Sequence, residues 1–380
     1  MSSVKDKFAI VGIGQTEFTL DSHRSELDLA CEAILAATKD AGITIDDIDG
    51  IVQDSPVYVD VIDIGHALGF NNQGFFIQDD GGHCSSLLHA ITGFIGGRAT
   101  KNIVCFKSIN GSSKRRGVLA SSEPSDPYED GFNKPFGYLS PVVMAAMAAR
   151  RHMHEYGTTS QHFANIAVAC RKHGNNNPNA ILHDKPLTIE DHQKSRIVAD
   201  PLRQSDCYAE ADGAMALIVT TAPRAKQLRQ PPVYIMAAAQ ACGPYVGRLT
   251  KNPTLKENET TFLAQQLFDI AGIPPSDIDV VQVCDYYTPL ALMALEDLGF
   301  CKKGEGGPFS ENGRLEWPNG ELPLNTSGGS LSEGFLEGFN LIIEAVRQLR
   351  GTSTAQVKDA ETALVTSANA GPTSGLILRR

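Results

Sequence analysis

The sequence predicts an α/β protein made of two similar halves. Three observations predict it: an internal repeat about 230 positions apart, a glycine at each helix end in that repeat, and a length of 380 residues. That length is more than one minimal core needs. In the first copy Asp40-Ala41-Gly42-Ile43 is followed by Asp47-Ile48-Asp49 and the apolar pair Ile51-Val52. In the second, Ile270-Ala271-Gly272-Ile273 is followed by Asp277-Ile278-Asp279 and Val280-Val281. Both copies read as helix, glycine stop, acidic turn and strand.

The elements follow in order. Phe8-Ala9-Ile10-Val11 is a strand-like run, and the segment Glu26 to Thr38 places Leu27, Ala30, Ile34 and Ala37 on one helical face. Gly42 and Gly272 suit left-handed helix caps, because glycine has no Cβ to clash there. The strand Ala214 to Val219 ends the first half, Pro231-Pro232 marks the join, and Val233-Tyr234-Ile235-Met236 opens the second. This divides the chain into 1–230 and 231–380. Within the first half, residues 118–205 are rich in Asn, Pro, His and Met and contain a helical stretch, Val142 to His154. This region reads as an insertion lying over the first half, where substrate contacts are often carried.

Composition narrows the function. Hydrophobic residues make up 42% and charged residues 20%, as in an ordinary globular protein. The net charge of −11 argues against non-specific nucleic-acid binding, which needs a basic surface. The start, MSSVKDKFAIVGIG, lacks the apolar core and cleavage site of a signal peptide. No apolar run reaches the roughly 20 residues of a membrane span. Eight cysteines are scattered without a CxxC pair, so neither a metal ribbon nor a disulfide framework is expected, and a reducing cytoplasm fits. All ten histidines lie at or before His192. Proton transfer in the second half must therefore use first-half histidines, or Tyr, Asp, Glu, Lys or Cys.

Four segments are candidates for chemistry. Gly81-Gly82-His83-Cys84-Ser85-Ser86 opens an apolar helix running to Ile95. A cysteine at a helix N-terminus gains thiolate character from the dipole, and the amides there can hold an oxyanion. Cys84 can equally be a small packing residue. Val283-Cys284-Asp285-Tyr286-Tyr287-Thr288-Pro289 links the second-repeat strand to a helix, Leu290 to Leu298, a position where α/β proteins place ligands. Asp285, Tyr286 and Tyr287 can move protons there, or serve as a helix cap and core edge. The loop from Leu324 to Phe335 holds Asn325, Gly328 and Gly329 and leads into an amphipathic helix, Phe339 to Leu349. It lets backbone approach a ligand, or simply caps the helix through Ser332. The last is Ser367-Ala368-Asn369-Ala370-Gly371, a turn or a site wall. Lys114-Arg115-Arg116 reads as a solvated loop or a phosphate contact.

Taken together, Val11-Gly12-Ile13-Gly14-Gln15-Thr16, the helix start at Cys84, Glu155-Tyr156-Gly157, Ala199-Asp200-Pro201-Leu202, Asp206-Cys207, Asp212-Gly213-Ala214 and Leu324-Asn325-Thr326-Ser327-Gly328-Gly329 resemble the thiolase superfamily, in its sterol-carrier-type branch. The resemblance implies a thiolase fold, five layers α-β-α-β-α from two similar halves, and a homodimer. Cys84 matches the thiolase nucleophile. The second half departs from thiolases: Cys284-Asp285-Tyr286-Tyr287 stands for His-Asp-Cys-Phe, Gly334-Phe335-Leu336 for Gly-His-Pro, and Ser367-Ala368-Asn369 where many have a cysteine. Every second-half acid/base position has changed.

The stretches Asp285-Tyr286-Tyr287-Thr288-Pro289-Leu290, Glu296 to Cys301 and Gly304 to Phe309 are similar to the thiolase-like aldolases of steroid side-chain degradation. That resemblance implies retro-aldol cleavage of a β-hydroxyacyl-CoA, through a thioester enolate, to a shorter acyl-CoA and a ketone or aldehyde. Tyr286 or Tyr287 would be the acid, with Asp285, His83 or water assisting and Cys84 retained. Asn325, Gly328, Gly329, Phe335 and Asn369 would line the CoA-ester pocket. No bound cofactor or metal is implied, since the thioester is the electron sink. The implied partner is a small zinc-ribbon and OB-fold protein, forming a heterotetramer. A thiolase acting through Cys84, and a non-catalytic acyl-CoA-binding subunit, are the alternatives.

Overall fold

The computed structural model describes residues 4–54, 59–70, 74–79, 81–114, 131, 133–138, 140–243, 250, 252–367 and 372–380. The strands are β1 (Phe8–Gln15), β2 (Gly50–Asp54), β3 (Phe75–Asp79), β4 (Asn102–Asn110), β5 (Ile197–Ala199), β6 (Leu202–Arg203), β7 (Asp212–Thr221), β8 (Val233–Ala241), β9 (Val280–Val283), β10 (Thr362–Thr366) and β11 (Thr373–Arg379). Nine of them form one sheet in the order β3-β2-β4-β7-β1-β8-β11-β10-β9, and β5 pairs with β6 as a separate ribbon.

From its middle outward the large sheet is palindromic. On one side β1-β7-β4-β2 pair antiparallel, antiparallel and parallel; on the other β8-β11-β10-β9 do the same. The first half carries β3 as an extra parallel edge strand. The two halves meet through a two-pair seam, Ala9 with Tyr234 and Ile10 with Val233.

Strand alternation distributes the core into layers. Ala9, Val11, Val104, Phe106, Ala216 and Ile218 face the helix Glu26–Ala41 through its Leu29, Ala30, Ile34 and Ala37. That helix runs one turn past the predicted stretch and ends on Gly42, with φ 75°. The opposite faces, with Ile10, Ile103, Leu217, Ile235, Val365 and Leu376, enclose the helices Ser85–Ile95 and Phe339–Arg350. Beyond the second half lie the helices Glu259–Ala271, capped by Gly272 at φ 68°, and Thr288–Asp297. These are five layers, α-β-α-β-α. In β1, Gly12 and Gly14 let the first helix approach the strand: a Cβ at either would fall on the carbonyl oxygen of Ala37 or Ala33.

The insertion corrects an expectation. Its helices Pro141–Tyr156 and Ser160–Asn176 pack over the second half, not the first, through Val142, Ala145, Ala149, Phe163, Ile166 and Cys170. The reason is the helix Thr288–Asp297, all of whose residues are buried. One face meets its own half and the other needs this cover. No helix among the described residues is long and apolar enough to cross a membrane.

The loop from Leu324 to Gly334 is fixed from two sides. Asn325 adopts φ 50°, a conformation asparagine tolerates. Its side chain acts as a short strand against β9, accepting from Val283 N–H and donating to Val283 C=O, both at 2.9 Å. From below, buried Glu333 accepts from Ser327 Oγ at 2.6 Å, Asn340 Nδ2 at 2.9 Å and Asn177 Nδ2 at 3.2 Å. Ser332 does not cap the next helix: Gly338 does, at φ 89°, while Ser332 Oγ accepts from Arg171 Nε at 3.0 Å.

Two stability predictions follow from these contacts. Gly14→Ala forces backbone against backbone and should lower stability by about 3 kcal/mol, read from urea unfolding midpoints. Burial pushes the Glu333 carboxyl up to about 7 from its ordinary 4.5. A raised carboxyl stabilises fully below its unfolded value and loses that effect as pH rises through its folded value. Between pH 7 and pH 5 the wild type should therefore gain about 2 kcal/mol relative to Glu333→Gln, checked by denaturation at both pH values.

Candidate active site

The carboxyl ends of parallel strands from both halves converge at one place, the usual position for a ligand in such sheets. β2 delivers Asp54, and β9 delivers Cys284-Asp285-Tyr286-Tyr287. Asp54 and Cys284 are equivalent positions of the repeat. Across β2 and β4, Gln53 pairs with Phe106, so Asp54 stands beside Lys107. By alternation both point toward the central layer, as Val52 and Cys105 do. Lys107 is fully buried and forms an ion pair with Glu337.

Cys84 immediately precedes the helix Ser85–Ile95 and is buried, its Sγ 3.8 Å from the Val365 carbonyl. Of the two readings of Cys84, thiolate at a helix start or small packing residue, its burial fits the second. Burial, then the neighbouring Asp54 and Cys284, push the thiol well above its ordinary value. The dehydrated surroundings outweigh the helix dipole. His83 is equally buried. Neither ring nitrogen has a well-formed hydrogen bond among the described residues, and the ring packs on Gly338, where a Cβ would strike it. Burial, reinforced by Lys107, pushes it down to about 3. It is a neutral, very weakly basic imidazole, which does not replace the histidines missing from the second half.

The two adjacent tyrosines separate. Tyr286 is half-buried and joins an aromatic group: its ring meets Phe335 edge-on at 4.9 Å and Tyr208 at 6.2 Å, and Tyr208 stacks on Phe335 at 4.1 Å. Burial, then the neighbouring Cys284, Glu337 and Asp54, raise its phenol well above the ordinary value. Tyr287 points into the second-half core, 2% exposed, and its hydroxyl has no hydrogen-bond partner among the described residues. Of the pair, Tyr286 is the one placed to meet a ligand.

Asp285 is drawn into the loop. It accepts from Ser330 N–H at 2.8 Å and Leu331 N–H at 3.4 Å, while Cys170 Sγ lies 3.8 Å away. Burial pushes it up to about 6 against these donors. It caps the short turn Gly329–Ser332 and does not cap the helix after Tyr287. The loop residues expected to touch substrate build the loop. Asn325 is fully buried with both side-chain polar atoms used. A Cβ on Gly328, at φ 110°, would press on Gly174, and one on Gly329 would strike Asp285. The Gly328 amide donates to Asn325 and the Ser330 amide to Asp285, so neither is available to an oxyanion. Asn369 lies outside the described residues.

Four residues that the sequence reading passed over belong to the site: Asp54, Lys107, Tyr208 and Glu337. Lys107 was visible as a charge ending the apolar run Ile103-Val104-Cys105-Phe106, and Asp54 as the repeat mate of Cys284. Tyr208 is placed by buried Asp206, which accepts from His192 Nε2 at 2.8 Å and Thr288 Oγ1 at 2.6 Å. The Tyr208 amide also donates to the Tyr286 carbonyl at 3.0 Å. From Tyr208 a groove of about 600 Å³ runs past Ile181, Arg171, Lys185 and Arg196.

Comparison with known proteins agrees with this geometry. Residues 247–375 match the family described as thiolase C-terminal domain-like. A 17-hydroxy-3-oxo-4-pregnene-20-carboxyl-CoA lyase of Mycobacterium tuberculosis is 42% identical over 97% of this chain and 98% of its own. A steroid side-chain-cleaving aldolase of Thermomonospora curvata is 41% identical over 100% and 99%. A solved Ltp2-ChsH2(DUF35) aldolase superposes with a TM-score of 0.93 at 40% identity, over 100% of this chain and 99% of that one. With relatives this similar over their whole length, a five-layered α-β-α-β-α fold and a second half without histidines, the chain belongs to the thiolase superfamily, within its thiolase-like aldolases.

Proposed function

We propose that this lyase cleaves the Cα–Cβ bond of a β-hydroxyacyl-CoA whose acyl chain carries a steroid, giving a shorter acyl-CoA and a ring ketone. The observation that carries the reading is the placement of Tyr286: it follows β9 half-buried, its ring edge-on to Phe335 at 4.9 Å and 6.2 Å from Tyr208, which lines the groove. Loss of the β-hydroxyl proton lets the C–O bond become a carbonyl while the Cα–Cβ pair moves into the thioester as an enolate. Tyr286 then protonates the α-carbon. The thioester accepts the electron pair, so the proposed steps draw on no bound cofactor.

The surroundings support each part of the substrate. The Tyr208, Tyr286 and Phe335 rings offer a broad apolar wall to a fused-ring skeleton. Arg171, Lys185 and Arg196 along the groove offer cations to the phosphates of CoA. The relatives' names speak of steroid side chains and a pregnene carboxyl-CoA. Thiolase chemistry through Cys84 is disfavoured because its thiol is buried and protonated and lacks an activating imidazole. We further propose a small zinc-ribbon and OB-fold partner, with two copies of each chain; the name Ltp2-ChsH2(DUF35) joins two components in the matching structure.

The test uses the chain with that partner on 17-hydroxy-3-oxo-4-pregnene-20-carboxyl-CoA, following ketone release. Tyr286→Phe should lower kcat about 10²–10⁴-fold. Cys84→Ala should stay within about threefold of wild type. Absence of a ketone from the wild type, or an acyl group trapped on Cys84 at the turnover rate, would overturn the reading.

A further inference from the structure

Resting on the retro-aldol reading, we propose that Glu337 is the base that takes the β-hydroxyl proton, held in place by the buried Lys107. The reaction needs a base distinct from Tyr286, because a phenol kept neutral can give a proton but not take one. Phe335, at the loop position facing Tyr286, has no group that can serve. His83 is buried and scarcely basic. Asp285 is occupied by loop amides.

Glu337 is placed beside the site. It lies two residues after Phe335, in the same loop, and its carboxylate is close enough to the Tyr286 phenol to be among the charges acting on it. The carboxylate pairs with Lys107, whose side chain is 0% exposed, while its own is 26% exposed. The ammonium therefore holds it from inside the protein while part of the carboxylate stays accessible. Asp54, the other nearby carboxylate, is 4% exposed and set deeper. The backbone is committed to this placement. Glu337 adopts φ 51°, costly for a residue with a Cβ, and Gly338 follows at φ 89° over the His83 ring. Strain of this kind persists where the surroundings hold it, often at sites of chemistry.

The proton balance closes. The Glu337 carboxylate takes the β-hydroxyl proton, and the O–H electron pair becomes the second bond of the ketone. The Cα–Cβ pair becomes the enolate. Tyr286 gives its phenolic proton to the α-carbon, and the proton on Glu337 returns to the phenolate directly or through one water, restoring both groups.

The experiment compares wild type, Glu337→Gln and Glu337→Asp, each with the partner, on 17-hydroxy-3-oxo-4-pregnene-20-carboxyl-CoA. Glu337→Gln should lose at least about 100-fold in kcat with KM within about threefold, and Glu337→Asp should recover part of the loss. Glu337→Gln should also lose exchange of the α-hydrogen of the acyl-CoA product in D₂O, because taking that proton needs a Tyr286 phenolate and Glu337 is the group that accepts the phenolic proton. An active wild type with a Glu337→Gln variant within threefold of it overturns the assignment and leaves the retro-aldol reading standing. Undiminished α-exchange in Glu337→Gln, or failure of Glu337→Gln to fold together with an undiminished Glu337→Asp, also overturns it. An inactive wild type sinks the reaction itself.

Discussion

Two half-sheets joined edge to edge at Ala9–Tyr234 and Ile10–Val233 close over a central helical layer. They bring the ends of β2 and β9 together in a place that water hardly reaches. That dehydration governs the chemistry of the site. It keeps the Cys84 thiol protonated in spite of its helix start, holds His83 neutral, and keeps the Tyr286 phenol from ionising. Burial disfavours whichever form is charged, so the same surroundings that disable a thiolate nucleophile preserve a proton donor. Charge persists there where it can pair, as it does between Lys107 and Glu337.

Much of this frame was legible in the primary structure. The repeat predicted two similar α/β halves, and Gly42 and Gly272 cap their helices as expected. The turn from strand to helix at Cys284 to Thr288 placed Tyr286 at the carboxyl end of β9. Other parts were not legible, for physical reasons. Periodicity shows that a helix has an apolar face but not what meets it, so the insertion could not be assigned to the second half. Dipole and burial act on Cys84 in opposite directions, and only packing shows which is larger. Asp285 was read against its nearest neighbours in sequence, whereas its donors are Ser330 and Leu331. Polar clusters of this kind are assembled across long loops.

The glycine-rich segment is held in place by its neighbours. Gly328 and Gly329 are required, but by Gly174 on one side and the Asp285 carboxylate on the other. Asn325 and Glu333 complete the clamp from β9 and from beneath. The loop serves the pocket by being immobile, which sets the angle at which Phe335 and Glu337 are presented.

Asp54 and Cys284 occupy the same station in the two repeats. The repeat thus furnishes two equivalent panels around a single chamber. Either panel can be re-lettered by point mutation while the other keeps the enclosure intact. A lineage built this way can exchange imidazole for phenol, and acyl transfer for bond scission, without rebuilding its architecture.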